Sequence, residues 1–331
     1  MSGFEENEVS IKSVGGTEIT KRSLQASLDP ELLSNFQIIP SRVRELDEKR
    51  IRIYHLHDLP NDPECEKLKD TNYRAKFHKL VFSSNWQQNE FVNKLGIPLD
   101  EKIMVLETPM VPIEPHTKPT EQINIAYFST PQRGLELLVP VFEQLAANNP
   151  NVHLHVHSSF LIYGWKELDD KFLPLYERIR EHPQMTYHGV TSQEDLREAL
   201  KSYHVLAYPN IWMETSCRVL MESMSAGMLC IHPNLGALPD TSGGLTSMYQ
   251  YVSDPNRHAN MFYQYIEHSV KVVLQEDIQK YLKFVKAYAD NRFQLPKVTA
   301  QWTHVLQDLA GQYPTEESRA FPQSQFVYRT S

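Results

Sequence analysis

Short apolar runs alternate along the chain with stretches whose apolar positions recur at helical spacing. Residues 36–43 (FQIIPSRV), 51–57 (IRIYHLH), 79–84 (KLVFSS) and 102–107 (KIMVLE) read as strands. Helical patterns open at Thr17, just after the pair Gly15-Gly16, and near Asn85. The alternation then stops. Residues 107–121, ETPMVPIEPHTKPTE, hold four prolines, which fix φ and remove backbone donors, so this stretch reads as an extended linker.

The alternation restarts with strands over 123–129, 152–158, 185–189, 204–209 and 228–233. Helices are predicted over 133–147, 168–181, 191–202 and 216–226. In the first of them Leu135, Leu138, Phe142 and Leu145 mark the buried face. Residues 255–310 read as mostly helical, interrupted at Pro296. Buried strands alternating with helices predict parallel sheets covered on both faces. The expected fold class is α/β, with two Rossmann-like doubly wound domains facing across a cleft. The expected division is 1–115, 116–290, and a helix over 291–313 packing back on the first domain. A Ser-, Gln- and Pro-containing tail, 314–331, is expected to be poorly ordered. Open parallel sheets bind ligands at the carboxyl ends of their strands, so two facing edges would hold one ligand from both sides.

Composition narrows the class. The chain has 331 residues, 41% hydrophobic and 22% charged, which is ordinary for a soluble protein. No apolar run approaches the roughly 18–20 residues that span a bilayer, and the N-terminus is too polar for a secretory signal. Cys65, Cys217 and Cys230 are far apart and lack CxxC spacing. A reducing cytoplasm is therefore expected, without a disulfide framework or a zinc site. The net charge of −8 argues against a broad nucleic-acid surface. His153, His155 and His157 alternate and read as one face of a strand rather than a metal site.

The chemistry concentrates in PNIWMETSCRVLMESMSAG (209–227). Glu214 follows a strand and a proline-containing loop, near a predicted helix start, with Thr215 and Ser216 as good capping residues. A helix N-terminus offers unpaired N–H groups and a positive dipole end, a natural seat for a diphosphate. Glu222 stands eight positions on, and eight helical residues would span on the order of 12 Å. That is comparable with the reach from sugar to ribose across a diphosphate.

This segment resembles the two-glutamate signature of retaining glycosyltransferases with the GT-B fold, in particular glycosyltransferase family 4. The resemblance runs from about residue 13 to residue 310. It implies that Glu214 contacts the transferred sugar, that Glu222 holds the nucleotide ribose, and that Thr215, Ser216 and Cys217 bring backbone amides to the diphosphate. In SVGGTEITKRSL (13–24), Gly15 and Gly16 match the family's glycine-rich loop at the donor phosphates or the acceptor. His57, ending IYHLH, matches the histidine beside the sugar better than His55. Arg133, followed by Gly134, matches one phosphate-binding cation, whereas the family's second has no counterpart in INIAYFSTPQ (123–132). Gly189 and Val190 match the turn that holds the base. Residues 1–12 offer only Val9 and Ile11 as strand-like positions where the family has a hydrophobic strand, so a trimmed N-terminal domain is expected.

The implied activity is retaining hexosyl or pentosyl transfer from a nucleotide-diphosphate-sugar to an unidentified acceptor hydroxyl. No cofactor is expected, and without an Asp-x-Asp site the reaction is expected to be metal-independent. A sugar-binding protein without catalysis would bind carbohydrate but not nucleotide. A glycosyltransferase acting on modified nucleic-acid bases would show salt-dependent DNA binding. A nucleotide-sugar epimerase or a phosphorolytic enzyme is disfavoured by the Glu–Glu signature.

Overall fold

The structure, a computed structural model, describes residues 3–4 and 15–322. The chain forms two compact units. The N-terminal unit contains Gly3, Phe4, Lys21–Glu107 and the described residues from Val298 onward. The C-terminal unit contains the described residues 15–20 and Thr108–Lys297.

The N-terminal unit is built on four strands: β1 (Phe36–Ile39), β2 (Ile51–Leu56), β3 (Lys79–Phe82) and β4 (Ile103–Val105). They lie in sequence order and all pairs are parallel. Their side chains divide by alternation, as a sheet covered on both faces requires. Ile51 and Ile53 face Leu24, Trp302 and Leu306, whereas Tyr54 and Leu56 face Phe77 and Phe91. The helix Asn85–Leu95 shows local sequence at work. Ser84 accepts the Gln87 amide at 3.0 Å as its N-cap, and Gly96 closes the other end at φ +65°.

Phe4 pairs with Ile38, which also pairs with Ile53 on its other side, so among the described residues the outer edge is the bridge at Phe4. Val9 and Ile11, the strand-like positions in the sequence, lie outside the described residues. The helix Leu295–Gln312 contributes Val298, Trp302, Leu306 and Leu309 to the core of this unit. Its start coincides with the break read at Pro296, because proline is tolerated in a first helical turn. The expectation of a poorly ordered tail needs correcting up to residue 322. Thr315 caps a one-turn helix, Glu316–Arg319, and the buried Arg319 donates to the Lys49 carbonyl at 3.1 Å and to Asn35 Oδ1 at 3.2 Å. Residues 323–331 lie outside the described part.

The C-terminal unit carries six strands: β5 (Ile123–Phe128), β6 (Val152–His157), β7 (Met185–Tyr187), β8 (Val205–Ala207), β9 (Leu229–Pro233) and β10 (Ser247–Tyr249). Their order is β10-β9-β8-β5-β6-β7, all parallel. The chain leaves β5 toward β6 and β7, then returns to β5's other side as β8. The strand order reverses between β5 and β8, the place at the carboxyl edge where open parallel sheets bind ligands. β10 has no strand signal in the sequence, because SMY is short and sits in polar surroundings.

The histidines of β6 lie on one face, as their alternation predicts. The His155 and His157 rings pack with His188 and Tyr203, and burial pushes both down to about 3, so they are neutral near pH 7. Among the described residues no helix is long and apolar enough to cross a membrane.

Candidate active site

The loops leaving β5 and β8 meet at the reversal point. After β5, a short turn at Pro131–Arg133 leads into Gly134, with φ +117°, and the helix Leu135–Ala146 starts behind it. The helix thus begins two residues later than the sequence suggested, and Arg133 belongs to the loop. A Cβ on Gly134 would lie 2.2 Å from the Pro209 carbonyl oxygen, so a glycine is what lets the two loops touch.

After β8 the loop Pro209–Cys217 is pinned at two places. The fully buried Asn210 side chain donates to the Trp212 carbonyl at 2.6 Å and accepts the Trp212 amide at 2.9 Å. Further along, the Glu214 carbonyl accepts the Ala237 amide at 2.8 Å. Gly236, φ +60°, sits so close that a Cβ would meet the Glu214 backbone nitrogen at 2.7 Å. This pinning leaves Ile211, Trp212 and Met213 exposed and turns Glu214 inward, 7% exposed.

The Glu214 carboxylate accepts a hydrogen bond from the Tyr208 hydroxyl at 2.7 Å and pairs with Arg133 Nη1 at 3.3 Å. Burial is the largest influence on Arg133 and works against its charge, but Glu214 together with Tyr208, Tyr163 and Cys217 more than offsets it, so the guanidinium stays charged. The structure therefore joins Glu214 and Arg133, two residues the sequence singled out 81 positions apart in separate motifs.

The helix carrying the second glutamate runs Arg218–Ser225, and its N-cap is Cys217. Thr215 and Ser216 do not cap it. The anchors at Asn210 and Gly236 keep 210–216 extended past the point where local propensity would start a helix. Cys217 supplies no side-chain cap bond, so the first-turn amides keep no partner within their own helix. The span from Glu214 to Glu222 is accordingly half loop and half helix, and the all-helical 12 Å estimate does not apply. Burial raises the Cys217 thiol well above its ordinary range, which suits a packing role rather than a reactive one.

Glu222 is buried at 3% exposure. Gln193 Nε2 donates to its Oε1 at 2.8 Å, and Arg218 Nε pairs with the same oxygen at 3.0 Å. Arg218 in turn donates to the Pro109 carbonyl at 2.8 Å. Gln193 opens the helix that follows the turn at Gly189, φ +65°, and the half-exposed Val190. His157 steadies that turn, with Nδ1 at 2.6 Å from Thr191 Oγ1. The predicted base turn and Glu222 thus lie at one end of the loop cluster.

Gly15 lies at the other end. A Cβ there would fall 2.3 Å from Tyr163 Cε1. Gly16 begins the helix Gly16–Ser27 and has open space around it. Several buried polar atoms around these loops have no hydrogen-bond partner: Glu18 Oε2, Thr130 Oγ1, Arg133 Nε, Ser158 Oγ and Ser216 Oγ. Each such atom costs about 1–3 kcal/mol unless something completes it. Their concentration in loops at the carboxyl edge suits a polar ligand.

His57 belongs to the N-terminal unit. Its ring lies 4.2 Å from that of His55 on the same face of the strand, and His55 rests edge-on against Trp302 at 5.1 Å. Burial lowers His57 to about 4, leaving a neutral imidazole near pH 7. Sequence reasoning missed Tyr208, Tyr163, Gly236 and Gln193, and it read Arg218 only for its backbone amide. Only Gly236 left a trace, as a glycine between a strand and a short helix.

Two parallel sheets with helices between their strands, and a site at the reversal point of the second, define the GT-B class of glycosyltransferase folds. Residues 123–268 match the family model described as glycosyl transferases group 1. A glycosyltransferase from Rickettsia africae is similar at 14% identity and TM-score 0.66, over 92% of this chain and 83% of that one. Anabaena HepE in complex with UDP and glucose is similar at 16% identity and TM-score 0.60, over 88% and 81%. The pneumococcal O-GlcNAc transferase GtfA in complex with UDP and GlcNAc is similar at 12% identity and TM-score 0.55, over 80% and 57%. No curated protein sequence matches the chain.

Proposed function

We propose that the protein is a retaining glycosyltransferase that binds a nucleotide-diphosphate-sugar at the carboxyl edge of β5 and β8. The observation that carries this reading is Glu214, held by Tyr208 and Arg133 ahead of a helix whose N-terminus has no side-chain cap and which carries Glu222. Glu214 would accept hydrogen bonds from hydroxyls of the transferred sugar. Glu222, fixed by Gln193 and Arg218, would accept those of the ribose. Arg133 and the amides around Ser216, Cys217 and Arg218 would stabilise the diphosphate as negative charge develops on it. Gly189 and Val190 would take the base. Gly15 and Gly16 would let the backbone approach the donor.

In the proposed step the bond from the anomeric carbon to the diphosphate oxygen breaks, and the acceptor oxygen bonds to that carbon on the same face. The acceptor proton passes to the leaving diphosphate, so no further co-reactant and no metal is required. His57 is proposed as a contact to a sugar hydroxyl, and the N-terminal unit as the acceptor side. Both assignments rest on the family resemblance.

UDP accompanies HepE and GtfA, which makes uridine donors the first to test. A ligand that binds only the folded state raises the unfolding midpoint. In a thermal-shift panel of UDP-, GDP- and ADP-sugars, one nucleotide series is expected to raise the midpoint in a concentration-dependent way. Free sugar that raises it while no nucleotide does would instead support a sugar-binding protein.

A further inference from the structure

The loop that leads from β8 to Glu214 holds a run of apolar side chains in water. Ile211, Trp212 and Met213 are 44%, 48% and 43% exposed. Consecutive exposed apolar residues of this kind are avoided on a surface unless a function needs them. Here the anchors of the loop impose the exposure. The fully buried Asn210 side chain grips the Trp212 backbone twice, donating to its carbonyl at 2.6 Å and accepting from its amide at 2.9 Å. The Asn210 amide donates to the Tyr208 carbonyl at 2.8 Å, and Gly236 approaches the backbone of Met213 and Glu214 too closely for any side chain. A buried asparagine needs partners for its polar atoms, and in this loop the backbone of Trp212 supplies them.

The loop therefore has two sides. Glu214 turns inward to Tyr208 and Arg133, whereas Trp212, two residues earlier, is exposed to solvent. Trp302 is buried, and Trp165 packs on Tyr163 with ring centroids 5.0 Å apart. Among the described residues the Trp212 ring packs on no other ring, and its hydrogen bonds are those of its backbone. Pro209–Met213 contains no charged residue. An uncharged indole combines a broad apolar face with one polar N–H at its edge. A pyranose matches it, with C–H bonds on its faces and hydroxyls around its rim. Because the anchors already fix the loop, little ordering is needed when such a ring docks.

We propose that Trp212 is an acceptor-binding residue and that the acceptor is a carbohydrate, one ring face of which stacks on the indole while a hydroxyl is presented to the anomeric carbon held at Glu214. The inference rests on the donor-site reading above. The donor takes the inward side, from Glu214 to Glu222, and leaves the solvent side to the incoming group. Ile211 and Met213 extend the apolar ground on either side of the tryptophan in sequence.

Nucleotide release from the nucleotide-sugar that wild type binds tests this on wild type, Trp212→Ala, Trp212→Leu and Trp212→Tyr. The acceptor probes are the methyl pyranosides of glucose, galactose, mannose and N-acetylglucosamine, with glycerol as the open-chain control. At least one pyranoside should stimulate release by wild type, and glycerol should not. For that pyranoside, Trp212→Ala should raise KM about 10-fold, the scale of uncovering one face of an indole, with nucleotide diphosphate affinity unchanged. Tyrosine should restore the acceptor KM, whereas leucine, apolar but not flat, should not. Stimulation by no pyranoside, stimulation by glycerol, an unchanged KM in the alanine variant or recovery by leucine would each overturn the proposal. A matching loss of nucleotide affinity would make Trp212 a structural residue and overturn it too. Binding of wild type to phosphatidylcholine vesicles, lost in Trp212→Ala without an effect on KM, would assign the loop to a lipid surface instead. Wild type that binds none of UDP, GDP and ADP would overturn the donor-site reading itself.

Discussion

Glu214→Gln is expected to lower turnover by roughly 100- to 1000-fold, the scale on which removal of one well-placed active-site polar group acts. The substitution keeps the side chain's shape and its ability to accept from Tyr208, which lies 2.7 Å away. It removes the negative charge that Arg133 faces at 3.3 Å. An alanine would leave both partners buried and unsatisfied and so confuse loss of chemistry with loss of structure. With glutamine, Arg133 is released toward the diphosphate, so nucleotide affinity should hold or rise while turnover falls. Steady-state transfer assays beside nucleotide titration read both halves. A parallel collapse of binding and turnover would assign Glu214 a structural role.

Gly134→Ala should be the most damaging small substitution in the C-terminal unit. The backbone there stands at φ +117°, where a side chain is strained, and the new Cβ would sit 2.2 Å from the Pro209 carbonyl oxygen. Strain and clash together should cost roughly 3 kcal/mol, or a melting midpoint about 6–12 °C lower at about 2–4 °C per kcal/mol. The clash can be relieved only by moving the Arg133 loop away from the loop that leads to Glu214, so activity should fall with stability. Gly227→Ala is the control. It has a similar left-handed backbone, φ +63°, but nothing within 4 Å of the added atom, so it should pay for strain alone. Scanning calorimetry of the two variants separates the effects, and equal midpoints would refute the close-approach argument.

The sheets were readable because their signals are local. Buried strands such as IRIYHL and INIAYF are continuous apolar runs bounded by polar turns, and every strand expected from such a run is present. Glu214, Glu222 and Arg133 were legible as motifs because loop, helix start and glycine stand beside them in the sequence. Tyr208 was not, because a tyrosine at a strand end carries no local signal even six positions before its partner Glu214, and neither was Tyr163, which meets Gly15 from far along the chain. The misplaced helix start at Thr215 and Ser216 has the same origin. Capping propensity is a neighbour effect, and it loses to the distant anchors at Asn210 and Gly236. The N-terminal edge shows the reverse problem, because what is seen of it among the described residues, a bridge at Phe4, is too short to leave any periodicity.

The central claim is that the carboxyl edge of the C-terminal sheet is a nucleotide-sugar site in which Glu222 holds the ribose. Its most direct test is calorimetric titration of UDP, GDP and ADP into wild type and Glu222→Ala, with folding of the variant checked by circular dichroism. Wild type should bind one of the three, and the folded variant should bind it at least about 10-fold more weakly, the loss expected when a carboxylate gives up hydrogen bonds to two hydroxyls. Equal affinity in the two proteins, or no nucleotide binding by wild type, would contradict the account.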